Sequence, residues 1–135
     1  MLILPAEHRE AMIAHARAGL PQEACGLFAG ELGEDGARTV RAVYCLANTD
    51  ESSRHFSMAP EEQFRAVKDM RGKGFVLLGN FHSHPETPAR PSGEDIRLAF
   101  DPSLSYVIVS LQGDVPVVKS FFIRGGVALE EPLGV

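Results

Sequence analysis

Basic clusters and long apolar runs are both missing from this chain of 135 residues. Its 13 Lys and Arg residues are scattered among 18 Asp and Glu, giving a formal net charge of -5 and a pI near 5.5. Nucleic-acid binding relies on Lys and Arg gathered to neutralise phosphates, so a phosphate-tracking surface is excluded. Leu2-Ile3-Leu4 is too short for the apolar part of a signal peptide, and no run approaches the length that spans a bilayer. The expectation is a soluble, cytoplasmic protein with neither a membrane nor a nucleic-acid partner. Cysteine is scarce as well. Cys25 and Cys45 form no Cys-x-x-Cys pair, which excludes a zinc knuckle and a thioredoxin-type site. Each lies in an apolar, strand-like segment and reads as a small buried hydrophobe. Repeats, coiled-coil heptads and low-complexity linkers are absent too.

What is present suffices for a core. A hydrophobic content of 44% over this length supports one domain, residues 1–135, and is too little for two. Leu2-Ile3-Leu4 reads as a short strand, and Pro5 suits the first turn of a helix that runs to about Ala18 and buries Met12, Ile13 and Ala16. His8 and His15 on that helix read as solvated. Gly19-Leu20-Pro21 ends it, and a strand follows in Cys25 to Gly30, where Gly26 and Gly30 mark close backbone approach. Gly33 to Gly36 supplies turn chemistry. Thr39 to Leu46 should return antiparallel, with Val40, Ala42, Tyr44 and Leu46 alternating against Thr39, Arg41 and Val43. After the polar loop Asn48 to Ser53, Arg54 to Met58 reads as a short edge strand. A second helix starts at Ala59-Pro60 with Phe64, Val67 and Met70 as its apolar stripe. A third runs from Ser92 to about Phe100. Strands follow at Tyr106 to Leu111, Val115 to Ile123 and Val127 to Leu129. Three helices and about seven strands, mixed along the chain, predict an α/β sandwich with a mixed central sheet.

The stretch Gly79 to Asp95 carries the chemistry. Phe75-Val76-Leu77-Leu78 leads into it as a strand, so His82 and His84, two apart, share a face and Ser83 points away. Two imidazoles on one face can converge on one divalent metal at the roughly 2.0–2.1 Å that zinc requires. Asp95 can complete the set if the Pro-rich loop Pro85 to Pro91 folds back. Ser92-Gly93-Glu94-Asp95 also reads simply as a helix start, with Ser92 as N-cap and acidic residues in the first turn. Three protein ligands leave a fourth tetrahedral position open, the mark of a catalytic rather than a structural zinc. Glu23, at the mouth of an apolar strand, is the candidate general base; a solvated carboxylate is the plain alternative.

His82-Ser83-His84-Pro85, the seven residues separating His84 from Ser92-x-x-Asp95, and the upstream Glu23 in Pro21-Gln22-Glu23-Ala24-Cys25-Gly26 resemble the JAMM (MPN+) metalloprotease family. The resemblance covers nearly the whole chain. It implies a cytidine-deaminase-like α/β/α fold and a zinc held by His82, His84, Asp95 and water. It implies Glu23 as general acid/base, and Ser92 as a hydrogen-bonding partner of the water or the developing oxyanion. Base deaminases of related fold pair His-x-Glu with Pro-Cys-x-x-Cys, and this chain has no Pro-Cys-x-x-Cys.

Small prokaryotic members of that family cleave peptide or isopeptide bonds at the C-terminus of ubiquitin-like or sulfur-carrier proteins, including release of a cysteine from a carrier. The resemblance therefore implies a partner with a Gly-Gly tail, for which Asn48 to Met58 offers a sheet edge. A zinc peptidase or amidase for small peptides is the alternative enzyme, and a non-catalytic MPN scaffold is the alternative outside enzymes.

Overall fold

The computed structural model describes Met1–Val135. In chain order its elements are β1 (Leu2–Ile3), α1 (Ala6–Gly19), β2 (Cys25–Leu32), β3 (Arg38–Leu46), α2 (Pro60–Gly72), β4 (Val76–His84), α3 (Gly93–Arg97), β5 (Ser105–Ser110), β6 (Val117–Arg124), β7 (Val127–Glu131) and β8 (Leu133–Gly134). All eight strands join one sheet in the order β7-β6-β5-β4-β2-β3-β1-β8. It is a mixed sheet. β4 and β5 run parallel, as do β1 with β3 and with β8, and the other neighbours are antiparallel.

Strand alternation assigns each face its helices. Val107 and Val109 of β5, with Phe28 and Phe81, pack under Met12, Ile13 and Ala16 of α1. Tyr106 and Ile108 point the other way, into a cluster that receives Ile96 and Ala99 around α3, while Leu27, Ala29 and Leu46 meet Ala66 and Met70 of α2. The result is the α/β/α sandwich expected. Close approach at two glycines fixes the β2 neighbourhood. A Cβ at Gly26 would lie 2.2 Å from the Tyr44 carbonyl oxygen, and one at Gly30 would lie 1.8 Å from that of Thr39.

Several local expectations fail for identifiable reasons. The β3 alternation is broken by a bulge, because Ala29 pairs with Ala42 and Gly30 with Val40, leaving Arg41 as the extra residue. Val40 therefore joins the α1 side with Val43, while Tyr44 and Leu46 face α2. Arg54 to Met58 is a loop, not an edge strand, since the Asn48 carboxamide takes over its backbone: Nδ2 donates to the carbonyls of Glu23 and His55, and Oδ1 accepts from Ser57 N–H. The sheet edges are instead β7 and β8. In α2, Met70 and Val67 of the expected stripe pack against the sheet, but Phe64 is 69% exposed and Ala66 packs in its place. α3 stops at Arg97, leaving Leu98 and Phe100 exposed. An eighth strand, β8, goes unforeseen because its two residues carry no periodic signal; it pairs with β1. His15 is not solvated but half-buried, with Nε2 3.0 Å from the carbonyls of both Cys25 and Leu46, and His8 is also only partly exposed. Cys45 is exposed, and Cys25 alone is buried.

One end of the sheet is held by a buried polar cluster. The Arg38 guanidinium on β3 donates to Leu78 O at 2.6 Å, to Ser105 Oγ, and to Glu131 Oε2 at 3.4 Å. Glu131 Oε1 in turn accepts from Ser105 Oγ at 2.6 Å and Ser120 Oγ at 2.8 Å. Burial lowers the Arg38 pKa, and the Glu131 charge works against that. The opposite end, where β4 and β5 finish, is where the motif lies.

Candidate metal centre

β4 ends at His84, and its pleat places His82 and His84 on the α2/α3 face. The following loop turns back through Pro85–Pro91 and delivers Ser92 to the start of α3. There a reciprocal pair of bonds forms: Asp95 N–H donates to Ser92 Oγ at 3.1 Å, and Ser92 N–H donates to Asp95 Oδ2 at 2.9 Å. The plain reading of Ser92 and Asp95 as a capping box is thus correct, and it coexists with the second one. Asp95 Oδ2 also lies 3.1 Å from Nε2 of both His82 and His84, whose Nε2 atoms are 3.2 Å apart.

Three donor atoms at the corners of a nearly equilateral triangle fit one cation. Ligands at 2.0–2.1 Å from a tetrahedral zinc stand roughly 3.3 Å apart, so movements of a few tenths of an ångström suffice. The imidazoles are also prepared for it. His84 Nδ1–H donates to Pro88 O at 2.8 Å, which leaves the Nε2 lone pair facing the centre. His82 is held by the Phe56 ring, stacked at 4.7 Å between centroids with 21° between planes. Both histidines are buried. Burial would raise the Asp95 pKa, yet without a metal, when the imidazoles carry a hydrogen on Nε2, their hydrogen bonds and that from Ser92 N–H hold it well below the usual carboxylate range. For His84 burial acts downward and is outweighed by Asp95 and the Pro88 carbonyl, so its pKa rises.

Glu23 lies in the segment just before β2 and is 5% exposed, which rules out the solvated alternative. Its Oε1 is buried without a hydrogen-bond partner. Burial pushes its pKa up to about 8; the His84 charge opposes this, while the charges of Asp95 and Glu94 add to it. It therefore stands within electrostatic reach of the triad. The backbone places it there: Ser83, pointing to the α1 side, accepts Ala24 N–H at 2.8 Å, Ser83 N–H donates to Ala24 O at 2.9 Å, and Glu23 N–H donates to Ser52 O at 2.7 Å.

A cleft of about 360 Å³ opens beside His82 and Asp95. Its floor is Asn80, Tyr106, Ile108 and Ile123 from the sheet, and its walls come from Phe56 and Met58 on one side and Leu98 and Phe100 on the other. His55 Nδ1 and the Glu94 carboxylate, 2.7 Å apart, tie the wall loop to α3. Residues 5–124 match the family described as prokaryotic homologs of the JAB domain.

The chain belongs to that family.

Among relatives of this JAB domain is the CysO-cysteine peptidase of Mycobacterium tuberculosis, 35% identical over 100% of this chain and 91% of the relative. The desampylase of Haloferax volcanii is 34% identical over 83% of this chain and 82% of its own length. A solution structure of a Desulfitobacterium hafniense protein superposes with a TM-score of 0.90 at 57% identity, covering 98% of this chain and 91% of that one. A JAB1/MPN domain protein from Archaeoglobus fulgidus shares the fold with a TM-score of 0.59 at 20% identity, over 98% and 94% of the two chains. The geometry brings His82, His84 and Asp95 of the JAB domain together, with Ser92 bonded to Asp95 and Glu23 nearby. Three contributors escaped the sequence reading. Asn80 was findable, since it lies two residues before His82 on the same face of one strand. Phe56 and the Pro88 carbonyl had no local signal, because both act from loops.

Proposed function

We propose that this JAB domain is a zinc-dependent peptidase that hydrolyses the bond following the C-terminal Gly-Gly tail of a ubiquitin-like or sulfur-carrier protein, for example releasing cysteine from a carrier. The observation that carries this reading is the convergence of His82 Nε2, His84 Nε2 and Asp95 Oδ2 beside a buried, unpartnered Glu23 carboxyl. The relatives' names support the substrate class: CysO-cysteine peptidase, desampylase, and a probable TtuB-protein conjugate cleaving protease from Thermus thermophilus. Zinc on His82, His84 and Asp95 would supply a Lewis acid that lowers the pKa of water and polarises the scissile carbonyl.

The chain's own groups do the rest. Glu23 takes a proton from the attacking water and returns it to the leaving nitrogen, a role that suits a carboxyl whose pKa is raised toward neutrality. The Ser92 hydroxyl accepts from Asp95 N–H and keeps its own hydrogen for the carbonyl oxygen, where negative charge develops. The Pro88 carbonyl and Phe56 fix the two imidazoles, so no reorientation is needed as charge shifts. Phe56 over His82 also narrows the approach, which favours glycine at the tail's end.

The test uses carrier fusions ending Gly-Gly-Cys and Ala-Ala-Cys. The zinc-loaded protein should cleave the first far faster. Glu23→Gln should retain about one zinc per chain by elemental analysis and lose most turnover, because proton transfer goes while the three ligands stay. Comparable rates on both fusions, or turnover of small peptides alone, would promote the small-peptide amidase. A Glu23→Gln protein as active as the original would remove Glu23 from proton transfer, and a zinc-loaded protein that turns over neither fusions nor small peptides would support the scaffold.

A further inference from the structure

The cleft beside the triad holds one polar group that neither the fold nor the chemistry above uses. Of the floor residues Asn80, Tyr106, Ile108 and Ile123, two are polar: the Tyr106 hydroxyl is taken up by the Asp101 backbone, while the buried Asn80 Oδ1 has no hydrogen-bond partner. Its position relative to the reacting centre is set by β4. Two residues of strand separate it from His82 on the same face, roughly 6.6 Å at the usual rise. An extended peptide advances by the same amount over two residues. A tail whose last carbonyl lies at the triad thus brings the residue before its Gly-Gly pair level with Asn80.

We propose that the Asn80 carboxamide selects the side chain of the third residue before the cleaved bond, requiring a hydroxyl or carboxamide there. This rests on the tail-cleaving reading of the site. The cleft volume of about 360 Å³ exceeds what two glycines fill, so a side chain must enter to exclude water from the floor. Once it does, an unpaired acceptor on the floor, between Ile108 and Tyr106, favours a ligand that donates to it. An apolar side chain of equal size would leave Oδ1 unpaired, as it is in the free protein, whereas a donor would satisfy it, and sites of this type discriminate against the analogue that lacks the donor. An uncharged donor is the match, because the two carboxylates that line the cleft, Glu94 and Asp95, are already engaged by His55 and by the two imidazoles.

Glutamine and methionine are suitable probes, being unbranched and similar in length while only glutamine donates. Cleavage of carrier fusions ending Gln-Gly-Gly-Cys and Met-Gly-Gly-Cys is measured with the unaltered protein and with Asn80→Leu. In parallel, fluorescent peptides ending Gln-Gly-Gly and Met-Gly-Gly are titrated against the Glu23→Gln protein and its Asn80→Leu double variant. The unaltered floor should favour glutamine by about tenfold in kcat/KM and in peptide affinity, and Asn80→Leu should reverse the order. Equal use of the two tails by the unaltered protein overturns the proposal even if Asn80→Leu fails to fold. So does a glutamine preference that survives Asn80→Leu. If neither fusion is cleaved yet the peptides still show the Asn80-dependent order, the tail-cleaving reading fails and the selectivity of the floor stands. If the peptides show no order either, both fall.

Discussion

Stripping the metal with a chelator and following stability against pH isolates the Glu23 carboxyl. In the folded, metal-free chain burial lifts its pKa from 4.5 to about 8. A group with a raised folded pKa contributes stability that is fully present below its unfolded value and is lost as pH rises through the folded one. Between pH 5 and pH 8 the unfolded chain gives up this proton while the folded chain still holds it, so stability falls by up to roughly 1.36 kcal/mol per pH unit. Over that window the unscreened effect is roughly 3.5 kcal/mol, and screening by the solvent near the site reduces it to about 2 kcal/mol. Glu23→Gln removes it altogether. Urea unfolding of both proteins at pH 5, 6, 7 and 8 in EDTA measures the effect. A fixed offset between the two side chains cancels, and only the change in the gap counts. The gap should move toward the glutamine variant by about 2 kcal/mol from the lowest pH to the highest. Parallel profiles would mean that Glu23 is freely solvated, and the account of a carboxyl held for proton transfer would collapse.

Other perturbations read different parts of the site. Ser83→Ala leaves the Ala24 N–H without its acceptor, which should cost about 1–3 kcal/mol in denaturant unfolding and slow turnover by loosening the neighbouring Glu23; unchanged stability would refute the tether. His84→Ala should reduce zinc from about one per chain to near zero by elemental analysis, and full retention would remove His84 from the ligand set. At pH 8 iodoacetamide should modify exposed Cys45 first and spare Cys25, whose thiol burial pushes up to about 12. Peptide mapping that finds both labelled at equal rates would contradict the burial of β2.

The legible part of the molecule was the part with a fixed period. His82 and His84 fall on one face because a strand repeats every two residues, and Met12, Ile13 and Ala16 are buried because a helix returns after three or four. The candidate ligands were readable for a second reason: Ser92 and Asp95 do two jobs at one spacing, so the helix-start signal and the ligand signal reinforce each other. Illegible were the features set by tertiary partners. Phe64 matches the spacing of Val67, but the face that meets the sheet runs through Ala66 and Met70, and Phe64 stands about 200° round the helix from Ala66. The bulge at Arg41 shifts a face in mid-strand without a glycine or proline to announce it at that position. Arg54 to Met58 looked like a strand because its β-favouring residues were visible, whereas the Asn48 carboxamide bonding the backbone of Glu23, His55 and Ser57 was not.

The buried pairing of Arg38 with Glu131 bears on how the chain is made. The two residues are 93 positions apart, and Arg38 also needs Ser105 before its guanidinium is satisfied. A nascent chain that has emerged only through β6 contains every residue of the candidate metal centre and all three helices, yet it lacks the counter-charge. Enclosing Arg38 at that stage would leave an unpaired charge inside the sheet, typically a penalty of about 3–5 kcal/mol. The sheet's closed end therefore waits for the last strands, and so does β1, which needs β8 at its outer side. Synthesis of β7 and β8 should thus act as the step that commits the sheet to its fold. A ribosome-stalled chain ending after β6 should be far more open to protease than one in which β7 and β8 have also emerged.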